Sequence, residues 1–254
     1  MGKIIAIANQ KGGVGKTTTA INLSAAIGAQ GKRVLLIDID AQGNATSGLG
    51  IERPERTIYD ALVDDVAAAD IITQTEFENL WLFPAGQELA GAEIELVTME
   101  NREYRLRSVL ESVKADYDYL FIDCPPSLGV ITLNCLTAAD SVLIPIQCEY
   151  YALEGLGNLT GNIKRIKQGL NPALSLEGVL LTMLDARTNL GIQVVEEVKK
   201  HFPGKVYGTI IPRNVRLSEA PSFGQPINVY DKFSKGAQTY EALAKEVVER
   251  NEER

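Results

Sequence analysis

Short runs of apolar residues recur along the chain and alternate with longer segments in which apolar residues return every three or four positions. Several of the short runs are apolar at nearly every position, a pattern typical of strands that are covered on both faces of a parallel sheet. The runs that we predict to be strands are 4–8, 33–38, 80–83, 119–123, 141–146, 178–184 and 206–211.

The segments between these runs have the spacing of amphipathic helices, and the first of them is closed by Gly31. Because strands and helices alternate, the pattern predicts βαβ units with right-handed crossovers. No internal repeat and no linker rich in Gly, Pro or Ser interrupts it. We therefore predict a single α/β domain over residues 1–254, with one doubly wound, mostly parallel sheet and helices on both faces. The helices are predicted at 17–30, 101–116, 152–168, 189–202 and 236–250.

The composition fits one folded domain of this size. Hydrophobic residues make up 45% of the 254-residue chain and charged residues 23%, which excludes wholesale disorder. No apolar run approaches the roughly 20 residues that cross a bilayer, and no secretory signal is recognisable, so we expect a cytoplasmic protein. Cys124, Cys135 and Cys148 lack the spacing of metal ligands and are expected to be reduced thiols. The single histidine, His201, excludes a multi-histidine metal site.

The charge is distributed unevenly along the chain. The net charge of −8 argues against a polyanionic partner. Residues 160–235, however, contain 11 Lys and Arg against 6 Asp and Glu, while the remainder contains 14 against 27. This asymmetry permits a basic face on an acidic protein, although a solvated surface of mixed charge is the commoner outcome.

A glycine-rich segment follows the first predicted strand and opens the first predicted helix. It reads KGGVGKTT from Lys11 to Thr18, whereas the common phosphate-loop pattern G-x-x-x-x-G-K-[ST] requires a glycine in place of Gln10. The glycines still allow a tight turn whose N–H groups point inward, and the helix N-terminus adds positive potential. Lys16 can then reach the β- and γ-phosphates, and the Thr17 hydroxyl can bind Mg²⁺. A glycine-rich turn that binds nothing is the alternative, and the flanking strand and helix argue against it.

This segment resembles the deviant Walker A motif of the ParA/MinD superfamily of dimeric ATPases. The resemblance implies a P-loop NTPase fold with ATP and Mg²⁺ as cofactors. It covers the chain to about Val248 and is closest to the chromosomal ParA/Soj branch. In that family the extra lysine, Lys11 here, crosses the dimer interface and contacts the nucleotide of the partner subunit, where Gly12 must be small because two loops meet. The alternative for Lys11 is a solvated loop lysine.

By the same resemblance, Lys11 and Lys16 are expected to be catalytic. The implied nucleotide-binding residues of the loop are Lys11, Gly12, Gly13, Val14, Gly15, Lys16, Thr17 and Thr18.

Aspartates stand at the ends of two predicted strands. Asp38 and Asp40 end the second strand, where period-two alternation points both to the same face, and Asp123 ends the strand at 119–123. Ligands of open α/β sheets bind outside the carboxyl ends of the strands, so these acids can face the phosphates. One such aspartate alone would more often be a helix cap or a turn former.

The resemblance gives each acid a role. It implies that Asp40 orients the attacking water, that Asp38 supports the outer shell of the metal, and that Asp123 holds Mg²⁺ through a water, with Thr17 as the third metal ligand. Water would attack the γ-phosphate in line. Because no strong general base is visible, we expect slow intrinsic hydrolysis.

Arginines follow two of the later predicted strands. In the family, arginines that match Arg187 and Arg216 line a DNA-binding surface across the ATP dimer, and Pro212 and Asn214 match positions near the adenine. Dispersed arginines give sequence-independent, salt-sensitive DNA binding. The alternative is that these arginines only pair with nearby acids, namely Glu196, Glu197 or Glu219.

The resemblance therefore implies a bacterial DNA-segregation ATPase that is cytoplasmic and associated with the nucleoid. ATP would join two subunits in a sandwich dimer, and the dimer would bind double-stranded DNA nonspecifically. Hydrolysis, stimulated by a ParB-type centromere-binding protein, would then release the DNA. Members of this branch also act on the replication initiator, which is a further expected partner.

Other classes of ATPase fit the sequence less well. A MinD-like membrane-positioning ATPase needs a basic amphipathic C-terminal helix with large apolar anchors, but the chain ends KEVVERNEER, so no membrane partner is expected. An iron–sulfur ATPase needs paired cysteines at a shared cluster, which Cys124 and Cys148 do not provide. Lys11 argues against a general P-loop enzyme that transfers phosphate to a metabolite.

Overall fold

The computed structural model describes residues 2–149, 152–185 and 189–252, and for 152–159 and 189–190 it describes the backbone alone. Within these residues the predicted α/β class is confirmed, because one seven-stranded sheet lies between two layers of helices. None of the described helices is long and apolar enough to cross a bilayer.

The sheet is parallel except at one edge. Its spatial order is β3-β4-β2-β5-β1-β6-β7, and only the short β3 runs antiparallel to its neighbour β4. The carboxyl ends of the parallel strands therefore meet at one edge of the sheet. In chain order the strands are β1 Lys3–Ile7, β2 Val34–Asp38, β3 Thr73–Gln74, β4 Leu80–Phe83, β5 Tyr119–Asp123, β6 Ser141–Gln147 and β7 Ser175–Thr182.

The helices cover both faces of this sheet. Short 3-10 turns at Ala68–Asp70, Leu96–Thr98, Lys114–Asp116 and Ala220–Phe223 separate or extend some of them. The α-helices are α1 Lys16–Gly28, α2 Asn44–Gly48, α3 Ile58–Val63, α4 Leu89–Glu95, α5 Arg105–Glu111, α6 Val130–Ala138, α7 Ala152–Gly169, α8 Asn189–His201, α9 Val215–Glu219, α10 Ile227–Tyr230 and α11 Lys235–Glu252.

Alternate residues of the central strands feed two separate cores. On β1, Ile4 and Ala6 belong to the core beneath α3 to α8, whereas Ile5 and Ile7 belong to the core beneath α1 and α11. Because both faces of these strands are buried, their sequences are apolar at nearly every position rather than alternating.

The predicted strand at 206–211 is wrong. Val206 and Pro212 form only isolated bridges, to Val179 and Leu184. Between them, the N–H groups of Gly208 and Thr209 donate to the carboxylate of Glu246 on α11, at 2.7 and 2.9 Å. Tyr207 and Ile211 still donate their N–H groups to the carbonyls of Val179 and Leu181, each at 2.9 Å, so the segment follows β7 without forming a continuous ladder.

The helical prediction at 101–116 is too long, and α6 was not predicted. The structure begins α5 at Arg105, ends it at Glu111 and adds a separate turn at Lys114–Asp116. The sequence of α6, VITLNCLTA, is buried over most of its length and has no polar face, so it lacks the amphipathic spacing on which the prediction relied.

A buried carboxylate ties the last helix to the sheet. Glu177 on β7 accepts hydrogen bonds from Lys3 Nζ at 2.6 Å and from Asn251 Nδ2 at 2.9 Å, and its side chain has no exposed surface. Burial, the largest single effect, would raise the pKa of Glu177, but hydrogen bonds from Lys3, Ser141 and Asn251 and the charge of Lys3 together outweigh it and lower that pKa. The pair therefore links β1, β7 and α11 through an ionised group.

We predict that Glu177→Ala lowers the free energy of unfolding by about 3 kcal/mol at neutral pH, because it leaves Lys3 without its buried partner. Since folding depresses the pKa of Glu177, its stabilisation is complete above the unfolded pKa of about 4.3 and is lost as the pH falls through the folded value. Urea denaturation of both proteins should therefore give curves that converge at low pH.

Glu241→Ala is the matched control for that substitution. Glu241 pairs with Lys245 at 2.8 Å on the same helix, but both side chains are exposed, so its loss should change stability little. Equal effects of the two substitutions would contradict the assignment of a buried, structural ion pair.

Candidate functional site

The glycine-rich loop connects β1 to α1 at the carboxyl edge of the sheet. Gly13 and Gly15 have φ angles of 73° and 89°, which only glycine adopts without strain. Gly15 is also the N-cap of α1 and provides no side-chain cap, so the first N–H groups of the helix are free to meet an anion. The predicted turn and its inward-facing amides are thus compatible with phosphate binding.

Two polar side chains from outside the motif fix this loop. Asn9 donates from Nδ2 to the carbonyl of Pro145 at 2.7 Å and accepts the N–H of Lys11 at 3.0 Å. Thr182, the last residue of β7, donates from its hydroxyl to the carbonyl of Val14 at 2.8 Å. The loop is therefore held by β6 and by β7, the two strands that lie on the same side of β1 in the sheet.

The two lysines of the loop lie in different environments. Lys16 is buried, with 8% of its surface exposed, whereas the side chain of Lys11 is 37% exposed. The contact that Lys11 makes with an acid is long, at 4.0 Å from Nζ to the Glu149 carboxylate, which also lies 3.6 Å from Arg213. Such solvent-exposed pairs are worth little, so Lys11 is available to another anion.

Two buried carboxylates stand side by side beneath the loop. Asp38 on β2 and Asp123 on β5 are register partners, and they are 0% and 1% exposed. Burial raises the pKa of Asp38 to about 6, against hydrogen bonds from Thr46 and Asp40 that lower it. Burial and then the charge of Asp38 raise the pKa of Asp123 well above its ordinary value.

The carboxylates of Asp38 and Asp123 differ in their hydrogen-bond partners. Asp38 accepts the N–H and the hydroxyl of Thr46, each at 2.8 Å, and the N–H of Asp40 at 3.2 Å. Neither carboxylate oxygen of Asp123 has a hydrogen-bond partner among the described residues, although Thr17 and Lys16 are close enough to lower its pKa. A buried, unpartnered carboxylate that faces the loop is suited to a cation or to its bound water.

Asp40 lies at the same end of the sheet, just beyond β2. It is partly exposed, its carboxylate accepts the N–H of Gln42 at 3.0 Å, and its charge raises the pKa of both Asp38 and Asp123. The three acids thus converge as their strand-end positions predict. Among the described residues, no cluster of His, Cys, Asp and Glu is arranged to hold a metal by itself.

A cavity of about 470 Å³ opens beside the loop. Pro212 and Asn214, predicted to lie near an adenine, form part of its wall, and Asn214 also caps α9 by accepting the N–H of Arg216 at 2.8 Å. Its mixture of apolar and polar groups, next to a phosphate loop, suits a nucleoside. Its other lining residues are Gly15, Thr17, Thr18, Ile21, Asn44, Ser47, Thr182, Met183, Ile211, Arg213, Leu217, Ser218, Pro221 and Tyr240.

The structure describes one of the two arginines that are predicted to contact DNA. Arg187 lies outside the described residues. Arg216 is exposed and pairs with Glu219 at 2.8 Å and with Asp231 at 3.6 Å. The alternative of local pairing is thus present at Arg216, but exposed pairs of this kind yield readily to a stronger anion.

The sequence does not predict three of the side chains that position the site. Asn9 and Thr182 hold the loop, and Thr46 connects the acids to the chain beyond, because its hydroxyl donates to Asp38 and accepts the N–H of Ala85 at 2.9 Å. Only Asn9 carried a local signal, as a polar residue directly after an apolar strand.

Comparison with known proteins places the chain among close relatives. A family model described as an AAA domain matches residues 2–176. The sporulation initiation inhibitor protein Soj of Bacillus subtilis is 66% identical, over 97% of this chain and 98% of its own length. The chromosome partitioning protein ParA of Myxococcus xanthus is 57% identical, over 99% and 89%.

A solved structure shares the fold over nearly the whole chain. Cobyrinic acid a,c-diamide synthase from Mycobacterium smegmatis, with bound ATP analogue and magnesium, superposes with a TM-score of 0.87 and 38% identity, covering 99% of this chain and 96% of that one. The two relatives by sequence are considerably more similar to this chain than that enzyme is.

We predict that Asp123→Asn stabilises the nucleotide-free protein at about pH 8, by of order 1–3 kcal/mol, because it removes a buried and unsatisfied charge. A raised pKa means that the folded state holds the carboxyl proton more tightly than the unfolded chain, so wild-type stability falls as the pH rises through that pKa. Urea denaturation in the presence of a chelator should show the advantage of the variant shrinking towards about pH 4.

Asp40→Asn provides the comparison, since Asp40 belongs to the same cluster but is partly exposed, and its neutralisation should alter stability much less. The electrostatic description of this site would be contradicted if Asp123→Asn were less stable than wild type at pH 8. It would also be contradicted if the difference in stability between the two proteins did not change with pH.

Proposed function

The chain belongs to the ParA/Soj family of chromosome-partitioning ATPases, and from that premise we propose that it is a DNA-segregation ATPase whose ATP-bound form dimerises and binds DNA nonspecifically. Hydrolysis, stimulated by a ParB-type centromere-binding protein, returns it to a monomer that releases DNA. The protein acts in the bacterial cytoplasm on the nucleoid, and the replication initiator is a second partner.

The cofactors are ATP and Mg²⁺. The similar M. smegmatis structure contains an ATP analogue and magnesium, and the site described above has the groups that these cofactors need. The loop amides and Lys16 would hold the phosphates, with Thr17 and Asp123 on the side of the metal and Pro212 and Asn214 on the side of the base. Bound Mg²⁺ supplies charge neutralisation on the phosphate oxygens.

The chain's own residues then provide positioning and charge. Lys16, buried at the start of α1, withdraws negative charge from the transferred phosphoryl group. Asp40 orients the attacking water from the loop after β2, while Asp38 and Thr46 fix that loop through their hydrogen bonds. With positioning as the main contribution, turnover is slow until a partner improves the geometry.

The environment of Lys11 is the observation that carries the proposal. Lys11 emerges from the loop with a backbone fixed by Asn9 and a side chain that is 37% exposed. A side chain added at Gly12 would meet nothing within 4 Å in this chain, so packing within one subunit does not require glycine there. Lys11 is an exposed cation, and packing within this chain does not explain why its neighbour Gly12 is small. Both features fit a loop that meets the nucleotide site of a second subunit.

DNA binding is proposed for the surface that carries Arg216, and the family resemblance adds Arg187 as a second contact. Residues 160–235 carry the excess of positive charge on an otherwise acidic chain. A dimer carries two such surfaces and so makes twice as many phosphate contacts with DNA as a monomer. Because ATP causes dimerisation, DNA binding then depends on ATP. The Glu219 and Asp231 carboxylates compete for Arg216 and keep the affinity modest in the monomer.

The MinD-like alternative is less well supported. Membrane anchoring by the described part of α11 would need its apolar face to be free. Tyr240, Leu243, Ala244 and Val247 on that face are instead buried, in the same core as residues of α1. This helix contributes to the core of the protein rather than presenting an apolar surface to lipid.

We predict that Asp40→Ala, which blocks hydrolysis, binds a short duplex of arbitrary sequence in ATP–Mg²⁺ but not in ADP, as followed by fluorescence anisotropy. Adding Arg216→Glu should lower the affinity and reduce the slope of log K against log salt by about 2, one lost phosphate contact for each subunit of the dimer.

Lys245→Glu in the same background makes the identical charge change on an exposed residue of α11 and should leave most of the binding intact. Equal binding in ATP and ADP, or none in either, would refute ATP-gated DNA binding. If Lys245→Glu weakened binding as much as Arg216→Glu does, the assignment of DNA binding to the Arg216 surface would be wrong.

A further inference from the structure

Helix α4 and the turn that extends it, Leu96–Thr98, are apolar on two sides. Leu89, Ala92 and Leu96 are buried in the core beneath this helix layer. On the opposite side Ile94 and Val97, three residues apart and therefore on one face, are 74% and 53% exposed. A surface helix needs only one apolar stripe, so the outer stripe indicates a second contact surface.

The stretch of sequence that contains this outer stripe is acidic. Residues 86–103 contain five glutamates and a single arginine, and that arginine, Arg102, pairs with Glu103 at 2.9 Å. The negative field disfavours DNA and anionic lipid as occupants and favours a positively charged one. The glutamates are Glu88, Glu93, Glu95, Glu100 and Glu103.

The same helix contacts the loop that follows Asp123. Glu93 Oε2 accepts the N–H of Val130 at 3.2 Å, at the N-terminus of α6. Gly129, the N-cap of α6, has no side chain to cap the helix, and a Cβ built there would lie 2.3 Å from the Glu93 carboxylate. Glu93 therefore replaces the missing cap, and Leu128, the residue before, is a further exposed apolar group, at 43%.

We propose that Ile94, Val97 and Leu128, with the glutamates around them, form the docking surface for a basic amphipathic segment of the protein that stimulates hydrolysis. This inference rests on the proposed function, since it names where the stimulating partner binds. Apolar side chains of the segment cover the outer stripe, and its lysines and arginines face the glutamates.

Docking is linked to the active site through Glu93. A basic group that attracts the Glu93 carboxylate removes the cap from α6 and releases the loop 124–129, which begins directly after Asp123. The partner thereby alters the position of the loop beside the buried acids without contacting the nucleotide itself.

The test measures phosphate release in saturating DNA while the ParB-type protein of the organism that encodes this chain is titrated in. Ile94→Ser combined with Val97→Ser should leave basal turnover unchanged and raise the partner concentration for half-maximal stimulation by about tenfold or more. Glu95→Lys with Glu100→Lys should do the same, most strongly at low salt.

Ile192→Ser combined with Val229→Ser is the matched control, because these residues are of the same types and are 50% and 51% exposed. Glu93→Gln separates docking from its consequence. This variant should bind labelled partner in an anisotropy titration only slightly more weakly than wild type, because four of the five glutamates remain, yet show a reduced maximal stimulation.

The outcomes are distinguishable. No stimulation of the wild type would refute the ParB-type partner in the proposed function. Full stimulation of both surface variants at wild-type partner concentrations would refute only the docking site. A surface variant that fails to dimerise in ATP, as judged by sedimentation without partner, would assign this surface to a second copy of the chain and also overturn the inference.

Discussion

The candidate nucleotide site depends on the burial of two carboxylates, Asp38 and Asp123, at the ends of neighbouring parallel strands. Burial raises the pKa of both, and the charge of Asp38 raises that of Asp123 further, so the nucleotide-free site stores an electrostatic cost that a bound cation would relieve. Asp38 is stabilised by Thr46, which leaves Asp123 as the unsatisfied group facing the phosphate loop. Strand order and register thus place two buried carboxylates side by side at the end of the sheet that carries the glycine-rich loop.

Much of the fold was predictable because the central strands are buried on both faces and leave continuous apolar runs in the sequence, as in β1, β2 and β5. The predictions failed where distant side chains decide the outcome. Glu246 on α11 accepts the N–H groups of Gly208 and Thr209, within a segment that the local pattern predicts to be a strand. Helix α6 was missed because burial on all sides removes the amphipathic period that identifies a helix.

The residues of the candidate site were also predictable only in part. The residues of the glycine-rich loop and the strand-end aspartates were predictable, because phosphate binding imposes a local spacing on them. Asn9, Thr46 and Thr182 position these groups through contacts with residues far away in the chain, and such contacts leave no pattern in one sequence. Lys11 is intermediate, since its motif singles it out but its exposed position becomes apparent only in the structure.

The most direct test of the proposed shared site mixes two inactive variants, Lys11→Ala and Lys16→Ala, and measures phosphate release in ATP–Mg²⁺ and DNA. If Lys11 acts on the nucleotide of the partner subunit, a mixed dimer has one complete site, with Lys16 from one chain and Lys11 from the other. Turnover should then exceed the sum of the separate variants and peak near equal proportions. Rates that equal that sum at every ratio would contradict a shared site, because a lysine that acts on its own nucleotide cannot be supplied by another chain.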